Sequence, residues 1–460
     1  VPFDDASLQS ALKSRDGSAF LALARDAHYA DLASFYADLE KDGDRDFIIQ
    51  TLSPEAFSDV LAELPDSLLE DAIARYRPAQ QRSLLTALSD DDRVDILQNV
   101  SPDTRAKLLN LLTTEEKELT RTLLTHGEET AGGRMTTRIG RVPLHYTVRQ
   151  ALDALKMVKD SAETLSRIFV LDDDERPRGL IRLRDLAFAA RSTPVRDIMF
   201  DVNEVIRASA DQEEAALMVR RYDLLALPVV DDNNRLLGAI THDDAMEILE
   251  EESTEDIEKL AGIAGEQSEQ SYLHTGILVH LRRRVGWLLV LGLLAIASGY
   301  VMIQFEPVLS SAFLLALFLP MVIATGGNSG GQASTMVIRA MSLGELDGPE
   351  IFRVAWKELR LGLLQGLILA SALALLCITV LPLFGNLLAE GLSLNHFALA
   401  VSCALAVQVT SSTLIGAVLP MGARAIKLDP AVIAAPAITT IVDVSGTLIY
   451  FSTARLFLGL

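Results

Sequence analysis

Along the chain the apolar positions change their period, and each period calls for a different kind of element. From Leu64 a short unit recurs every 12 residues: Leu64-Pro65, Tyr76-Arg77, Leu88-Ser89, Val100-Ser101 and Leu112-Thr113 each precede polar or acidic residues and then an apolar stretch such as VDIL or AKLL. A turn, a Ser, Thr or Asp cap and one apolar stripe specify a short helix. Residues 1–127 are therefore expected to form an all-α, acidic helical solenoid, which by itself could be a scaffold with a solvated surface. Further on, IFVLDDDERPRGLIRLRDL (168–186) and LPVVDDNNRLLGAITHDDA (227–245) match at a constant offset of 59 residues. Both read strand, acidic turn, glycine, strand and helix start, with Val170 matching Val229, Gly179 matching Gly238 and Asp185 matching Asp244. Met135 and Met199 open the two copies, so a duplicated α/β unit is expected over 128–249.

The last third follows neither period. Five apolar stretches, near 285–305, 311–338, 361–381, 397–420 and 431–453, are each long enough for the ~30 Å hydrocarbon core of a bilayer. This predicts an α-helical transmembrane domain with five spans over 281–460, joined to the soluble part by an acidic helical segment over 250–280. Arg282, Arg283 and Arg284 precede the first stretch, Arg339, Arg353, Lys357 and Arg360 follow the second, and Arg424 and Lys427 follow the fourth. The other two loops contain no Lys or Arg, so the soluble part is expected in the cytoplasm and the C-terminus outside.

Charge changes the picture of the soluble part. Of the 41 basic and 62 acidic residues, 31 and 54 lie in the first 280 positions, a net charge of −23 there and +2 beyond. Phosphate binding needs a basic footprint, so nucleic acid is excluded as a partner of this part and cations are favoured. Cys377 and Cys403 are the only cysteines and both sit in apolar runs, which leaves no disulfide framework and no thiolate metal cluster. VPFDDASLQS, at the start, has no feature of a secretory signal. None of the seven histidines forms HExxH and no Walker A motif is present, which argues against an intramembrane zinc protease and against an ATPase.

Polar residues inside the apolar stretches carry the candidate chemistry. PMVIATGGNSGGQAST (320–335) interrupts the second span with Gly326, Gly327, Gly330, Gly331, Asn328 and Gln332. The glycines form two GxxxG pairs that suit helix packing, whereas an Asn328/Gln332 stripe suits a wet cavity. Asp443 lies near the middle of the fifth span, with Thr439 and Thr440 one turn before it and Thr447 one turn after. An intramembrane carboxylate is a functional hypothesis by default, and no Lys, Arg or His is evident as its partner, so a translocated cation is the natural counter-charge. Asp429-Pro430 reads first as a helix N-cap followed by proline. In the connecting segment Glu251, Glu255 and Glu258 share one helix face and repel.

The duplicated unit resembles tandem CBS modules, which pair their sheets into one disc and often bind adenine nucleotides. The family's ribose-phosphate signature corresponds to Thr241-x-x-Asp244 in the second copy; Arg182 replaces the hydroxyl in the first, where Arg184 and Asp185 could face the same cleft. A disc serving only as a dimerisation surface is the other reading. The whole order of parts, with PxxxATGGNSGGQ and DPAxxxxPxxTTxxDxxG in the spans, resembles the MgtE family of magnesium channels over essentially the full chain. That resemblance implies a homodimer in a bacterial inner membrane, Mg²⁺ as substrate and regulator, ATP in the CBS pair, and closure of the pore by cytosolic Mg²⁺. It makes Asp443 the pore carboxylate and puts Asp429 near the cytoplasmic mouth. Asp244, Glu247, Glu252, Glu255 and Asp256 match the acidic gating helix. Asp211, Glu213 and Asp223 match CBS metal ligands, and Asp59, Asp91 and Asp95 match those of the N-terminal domain. Gly331 and Ala435 stand where many members have Asn. The competing reading is a CBS-regulated transporter of Co²⁺ or Mn²⁺.

Overall fold

A computed structural model of the chain describes residues 5–159, 162, 164–263, 275–346, 350–384 and 392–459, the side chains of 431–437 excepted. Residues 264–274 of the connecting segment and the side chain of Ala435 thus lie outside the described residues. Two units are present, one built on Val1–Glu252 and one on Thr275–Leu460, and the connecting segment from Ser253 groups with the second.

In the first unit the 12-residue repeat is a run of helices at fixed spacing: Asp66–Ala74, Pro78–Ala87, Asp90–Asn99, Pro102–Leu109 and Thr114–Leu123. The side chains of Ser89, Ser101 and Thr113 each accept a hydrogen bond from the backbone N–H three residues on, and Pro78 and Pro102 occupy first-turn positions whose missing N–H costs nothing. Each turn drops its apolar residue into the core: Leu64, Tyr76, Leu88, Val100 and Leu112 are all buried, in one cluster with Phe20, Tyr36 and Phe57. Two earlier helices, Asp42–Thr51 and Pro54–Ala62, keep the same 12-residue phase, with Leu52 buried and Ser53 capping Pro54–Ala62, and the helices before them from Asp5 extend the same core.

The duplicated unit forms two sheets. Ile139–Pro143, Thr164–Leu171, Pro177–Arg182 and Phe200–Asp201 make one, and Ile206–Arg207, Ala226–Val230 and Leu236–Thr241 the other. In each, the first pair is parallel and the next antiparallel, and Val170 opposite Gly179 is repeated by Val229 opposite Gly238. The glycines are needed because backbone of the other copy crosses each strand. A Cβ on Gly238 would lie 2.4 Å from the Thr136 carbonyl oxygen, and one on Gly179 2.8 Å from the Phe200 carbonyl oxygen, with Met135 and Met199 lying over the same two positions. The opening methionine of each copy therefore packs on the sheet of the other. Phe200 pairs with Leu180, and Thr136 bridges to Ala239, so the two copies are interlocked.

The second unit contains long helices over Ile277–Gln304, Leu315–Ser342, Ile351–Val380, Leu394–Ala425 and Pro430–Leu458. Four of them are long and apolar enough to cross a membrane. Leu315–Ser342 has the length, 28 residues, but not the hydropathy, because ATGGNSGGQAST occupies its middle. Phe318, Phe397, Tyr450 and Phe451 fill the core at one end, where the Tyr450 hydroxyl donates to the Leu315 carbonyl at 2.8 Å.

Candidate ion pathway and cation-sensing residues

The glycines of the polar helix divide into two faces. Gly326 and Gly330 are buried against Leu394–Ala425. A Cβ on Gly326 would lie 2.6 Å from Gln408 Nε2, and a Cβ on Gly416 would lie 2.1 Å from the Gly330 carbonyl oxygen. Gln408 is fully buried, is approached equally closely from Gly446, and donates to the Val442 carbonyl at 3.0 Å. Its contact fixes the helix backbone one residue before Asp443. At Gly327 and Gly331, by contrast, a Cβ would meet nothing within 4 Å among the described residues, and Asn328 and Gln332 are not buried. Packing thus accounts for Gly326, and an open face for Gly327, Asn328 and Gln332. Gly416→Ala should therefore cost about 1–3 kcal/mol or more by overpacking, read as a lower melting temperature in detergent. Gly327→Ala should melt like the wild type.

Asp443 lines a cavity of about 280 Å³ with Thr439, Thr440, Ser298 and apolar residues of Ile277–Gln304, and no basic side chain lines it. Its carboxylate forms no hydrogen bond or ion pair among the described residues, although its backbone carbonyl accepts from Thr447 at 2.8 Å. Ser298 is 3.0 Å from the Thr447 hydroxyl. Gln332 lies in a separate cavity of about 640 Å³ with Ser329, Glu358, Gln365 and Thr413. Within one chain, then, Asp443 and the two threonines come together and Gln332 does not join them.

At the other end of these helices Asp429 lies 2.7 Å from Lys259. Lys259 is also 2.5 Å from Glu255, and Asp256 accepts from the Ser342 hydroxyl at 3.1 Å. Burial lowers the Lys259 pKa, but its bonds to Asp429 and Glu255 outweigh that and hold it above the ordinary lysine range.

In the first unit, carboxylates of the helical repeat approach those at the start of the helix His242–Leu260. Glu247 is pushed up to about 7, first by burial and then by the charges of Asp244, Glu63, Asp92 and Glu251. Asp92 and Asp244 are raised as well, mainly by burial, with Asp59 acting on Asp92 and both Asp243 and Asp92 on Asp244. Of the expected ligands, Asp59, Asp244 and Glu247 belong to this group. Asp91 is adjacent in sequence to Asp92, whose charge acts on Asp244 and Glu247. Asp95 pairs with Arg134 at 3.8 Å, and Glu252 accepts from Gln212 at 2.6 Å. Asp211 caps a helix through the Glu213 N–H at 2.8 Å, and Asp223 is exposed with φ +50°. Among the described residues no three acidic, His or Cys side chains converge closely enough to chelate an ion.

The residues expected at a nucleotide cleft are arranged alike in the two copies. The Thr241 hydroxyl donates to Asp244 at 2.6 Å, and Arg182 Nε donates to Asp185 at 2.5 Å in the equivalent place. Arg184 is 3.7 Å from Asp185. Sequence reasoning missed Ser298, Gln408, Lys259, Glu63, Asp92 and Glu358. Gln408 carried a readable signal, an amide inside an apolar span, whereas Lys259 sat unremarked in an acidic run.

The chain matches family models for the MgtE intracellular N domain over residues 27–129, for CBS domains over 132–192 and 195–251, and for the MgtE divalent cation transporter over 319–453. It is 34% identical to the magnesium transporter MgtE of Thermus thermophilus over 98% of both chains. With the protein of the same name from Bacillus subtilis it shares 29% over 100% of this chain and 98% of the relative. A crystal structure of the cytosolic domain of the Mg²⁺ channel MgtE in complex with ATP is similar over 53% of this chain and 100% of its own, at 32% identity and a TM-score of 0.51. Matched from end to end by these relatives, the chain belongs to the MgtE family of divalent cation transporters.

Proposed function

We propose that the protein conducts Mg²⁺ across a bacterial inner membrane as a homodimer, with its acidic domains in the cytoplasm and its C-terminus outside. The observation that carries the reading is the Asp443 cavity: a carboxylate without a partner among the described residues, beside two threonines, on a helix apolar enough to span the bilayer. Mg²⁺ sheds water reluctantly, so recognition falls to groups that contact its waters. Six waters at roughly 30 Å³ each need about 180 Å³, within the volume beside Asp443. The polar helix Leu315–Ser342 crosses the bilayer with the four apolar ones and presents Gly327, Asn328 and Gln332 from its open face. Residues 1–127 and 128–249 form the sensor, 250–280 the gate and 281–460 the pore. Asp59, Asp244 and Glu247, joined by Glu63 and Asp92, take up cytosolic Mg²⁺, with Asp91, Asp95, Asp211, Glu213, Asp223 and Glu252 supplying further contacts, and the loaded sensor closes the pore. Uptake by reconstituted protein tests the substrate: Mg²⁺ should enter and suppress Co²⁺ and Mn²⁺ entry in competition, and Co²⁺ or Mn²⁺ flux indifferent to excess Mg²⁺ would favour the other transporter.

ATP binds the CBS pair weakly in this reading. Millimolar ATP should raise the melting temperature of the protein, and Thr241→Val should remove that rise by taking away the hydroxyl beside Asp244. Equal shifts in both proteins would place the nucleotide elsewhere.

A further inference from the structure

We propose that Lys259 is a tethered cation that fastens the end of the helix His242–Leu260 to the start of the pore helix Pro430–Leu458, in place of a metal ion at the Glu255/Asp429 pair. Its ammonium nitrogen is 2.5 Å from Glu255 and 2.7 Å from Asp429. Glu255 is one turn before it on the same helix, and Asp429 immediately precedes Pro430. One ammonium thus answers two carboxylates that would otherwise repel across the contact.

The surrounding contacts repeat the pattern. Asp256 accepts from Ser342, Glu258 pairs with Arg283, and Leu260 packs against the cluster of Ile338, Ile438 and Val442. Val442 is the neighbour of Asp443 and the residue whose carbonyl Gln408 holds. A fastening at Lys259 therefore acts on the backbone of the helix that carries the pore carboxylate. The ammonium is covalently part of the chain, so it is present at every Mg²⁺ concentration and no chelator removes it. A divalent ion drawn to Glu255 and Asp429 has to displace it first. The Mg²⁺ dependence of closure then comes from the carboxylate cluster of the first unit, where Asp92, Asp244 and Glu247 press on one another, and the Lys259 contact sets how readily the gate seats once that cluster is neutralised. This rests on the gating reading above, and its first test does not use flux.

In the full-length reconstituted protein, Leu260→Cys with Ile338→Cys should cross-link under mild oxidation in the presence of a chelator. Adding Lys259→Met should lower the cross-linking rate roughly tenfold, the scale of one charge-assisted contact, and Lys259→Arg should largely preserve it. Exchanging the charges across the contact, Lys259→Glu with Asp429→Lys, should restore it, because one cation again lies between two carboxylates, which a packing role for the lysine stem would not. The internal Mg²⁺ that half-closes the channel should rise by a similar factor in Lys259→Met. Wild-type cross-linking in Lys259→Met, or a charge exchange that stays as low as Lys259→Met, would overturn the proposal. A wild-type channel indifferent to internal Mg²⁺ would instead overturn the gating reading, whatever the cross-links show.

Discussion

Asp443→Ala, reconstituted at the density of the wild type, is expected to carry no measurable Mg²⁺ flux while melting at an unchanged temperature. The side chain forms no hydrogen bond or ion pair among the described residues, so its removal breaks no contact seen there, and the helix is held instead by Gln408 on the Val442 carbonyl and by Thr447 on the Asp443 carbonyl. What is lost is the counter-charge. An uncompensated charge at mid-membrane costs about 3 kcal/mol on insertion scales, and at about 1.4 kcal/mol per decade that is roughly a hundredfold. In the proposed homodimer both subunits lose that charge, which takes the flux below detection. Asp443→Asn keeps an oxygen for the ion's waters and should retain a small flux with weaker discrimination between divalent and monovalent ions. Wild-type flux and selectivity in the alanine variant would remove Asp443 from the pathway.

The second large effect is expected in the sensor. Asp92→Asn with Glu247→Gln should raise the melting temperature of the Mg²⁺-free protein, shrink the further rise that millimolar Mg²⁺ adds to almost nothing, and flatten the dependence of flux on internal Mg²⁺. These carboxylates are raised in the folded protein by burial and by each other, so each charge removed relieves repulsion and each removed ligand weakens the response to the ion. The pH dependence has a fixed sign. A carboxyl raised from 4.5 to about 7, as Glu247 is, contributes stability that is fully present below about pH 4.5 and is lost as the pH rises through 7. The metal-free protein should accordingly melt higher at about pH 5 than at about pH 8, Glu247→Gln should reduce that difference, and Mg²⁺ should stabilise most at the higher pH, where protons no longer compete. A Mg²⁺ increment of wild-type size in the double variant would place the sensor elsewhere on the acidic surface.

The parts of this molecule that repeat were legible in the sequence. The 12-residue spacing fixed the helix starts at Asp66, Pro78, Asp90, Pro102 and Thr114, because cap, proline and buried turn residue recur together. The offset of 59 reappears as a common register of Val170 on Gly179 and Val229 on Gly238. Asp443 stood out in the same way, since a carboxylate in an apolar run has few structural explanations, and it lies on a cavity with Thr439 and Thr440. Long-range choices were not. Periodicity could not say that Gly326 faces Gln408 while Gly327 faces no neighbour among the described residues, since both belong to equally good GxxxG pairs. Nor could it say that Asp92 is felt by the residues of a helix some 150 positions away in the sequence. In the run of three aspartates, helix phase buries Asp90 against Arg93 and leaves Asp92 to meet the distant helix. Lys259 was hidden for the same reason: its partner Asp429 is 170 residues further along the chain.

In the proposed function one protein both conducts Mg²⁺ and is shut by it. The most direct measurement is Mg²⁺ flux into liposomes holding the purified protein, at a fixed outward-facing concentration and a stepped concentration on the side of the soluble domains. Flux should be high when that side is held at micromolar Mg²⁺ and should fall steeply over the millimolar range, by more than the reduced gradient accounts for. Flux that simply tracks the gradient, with no steep fall, would contradict it.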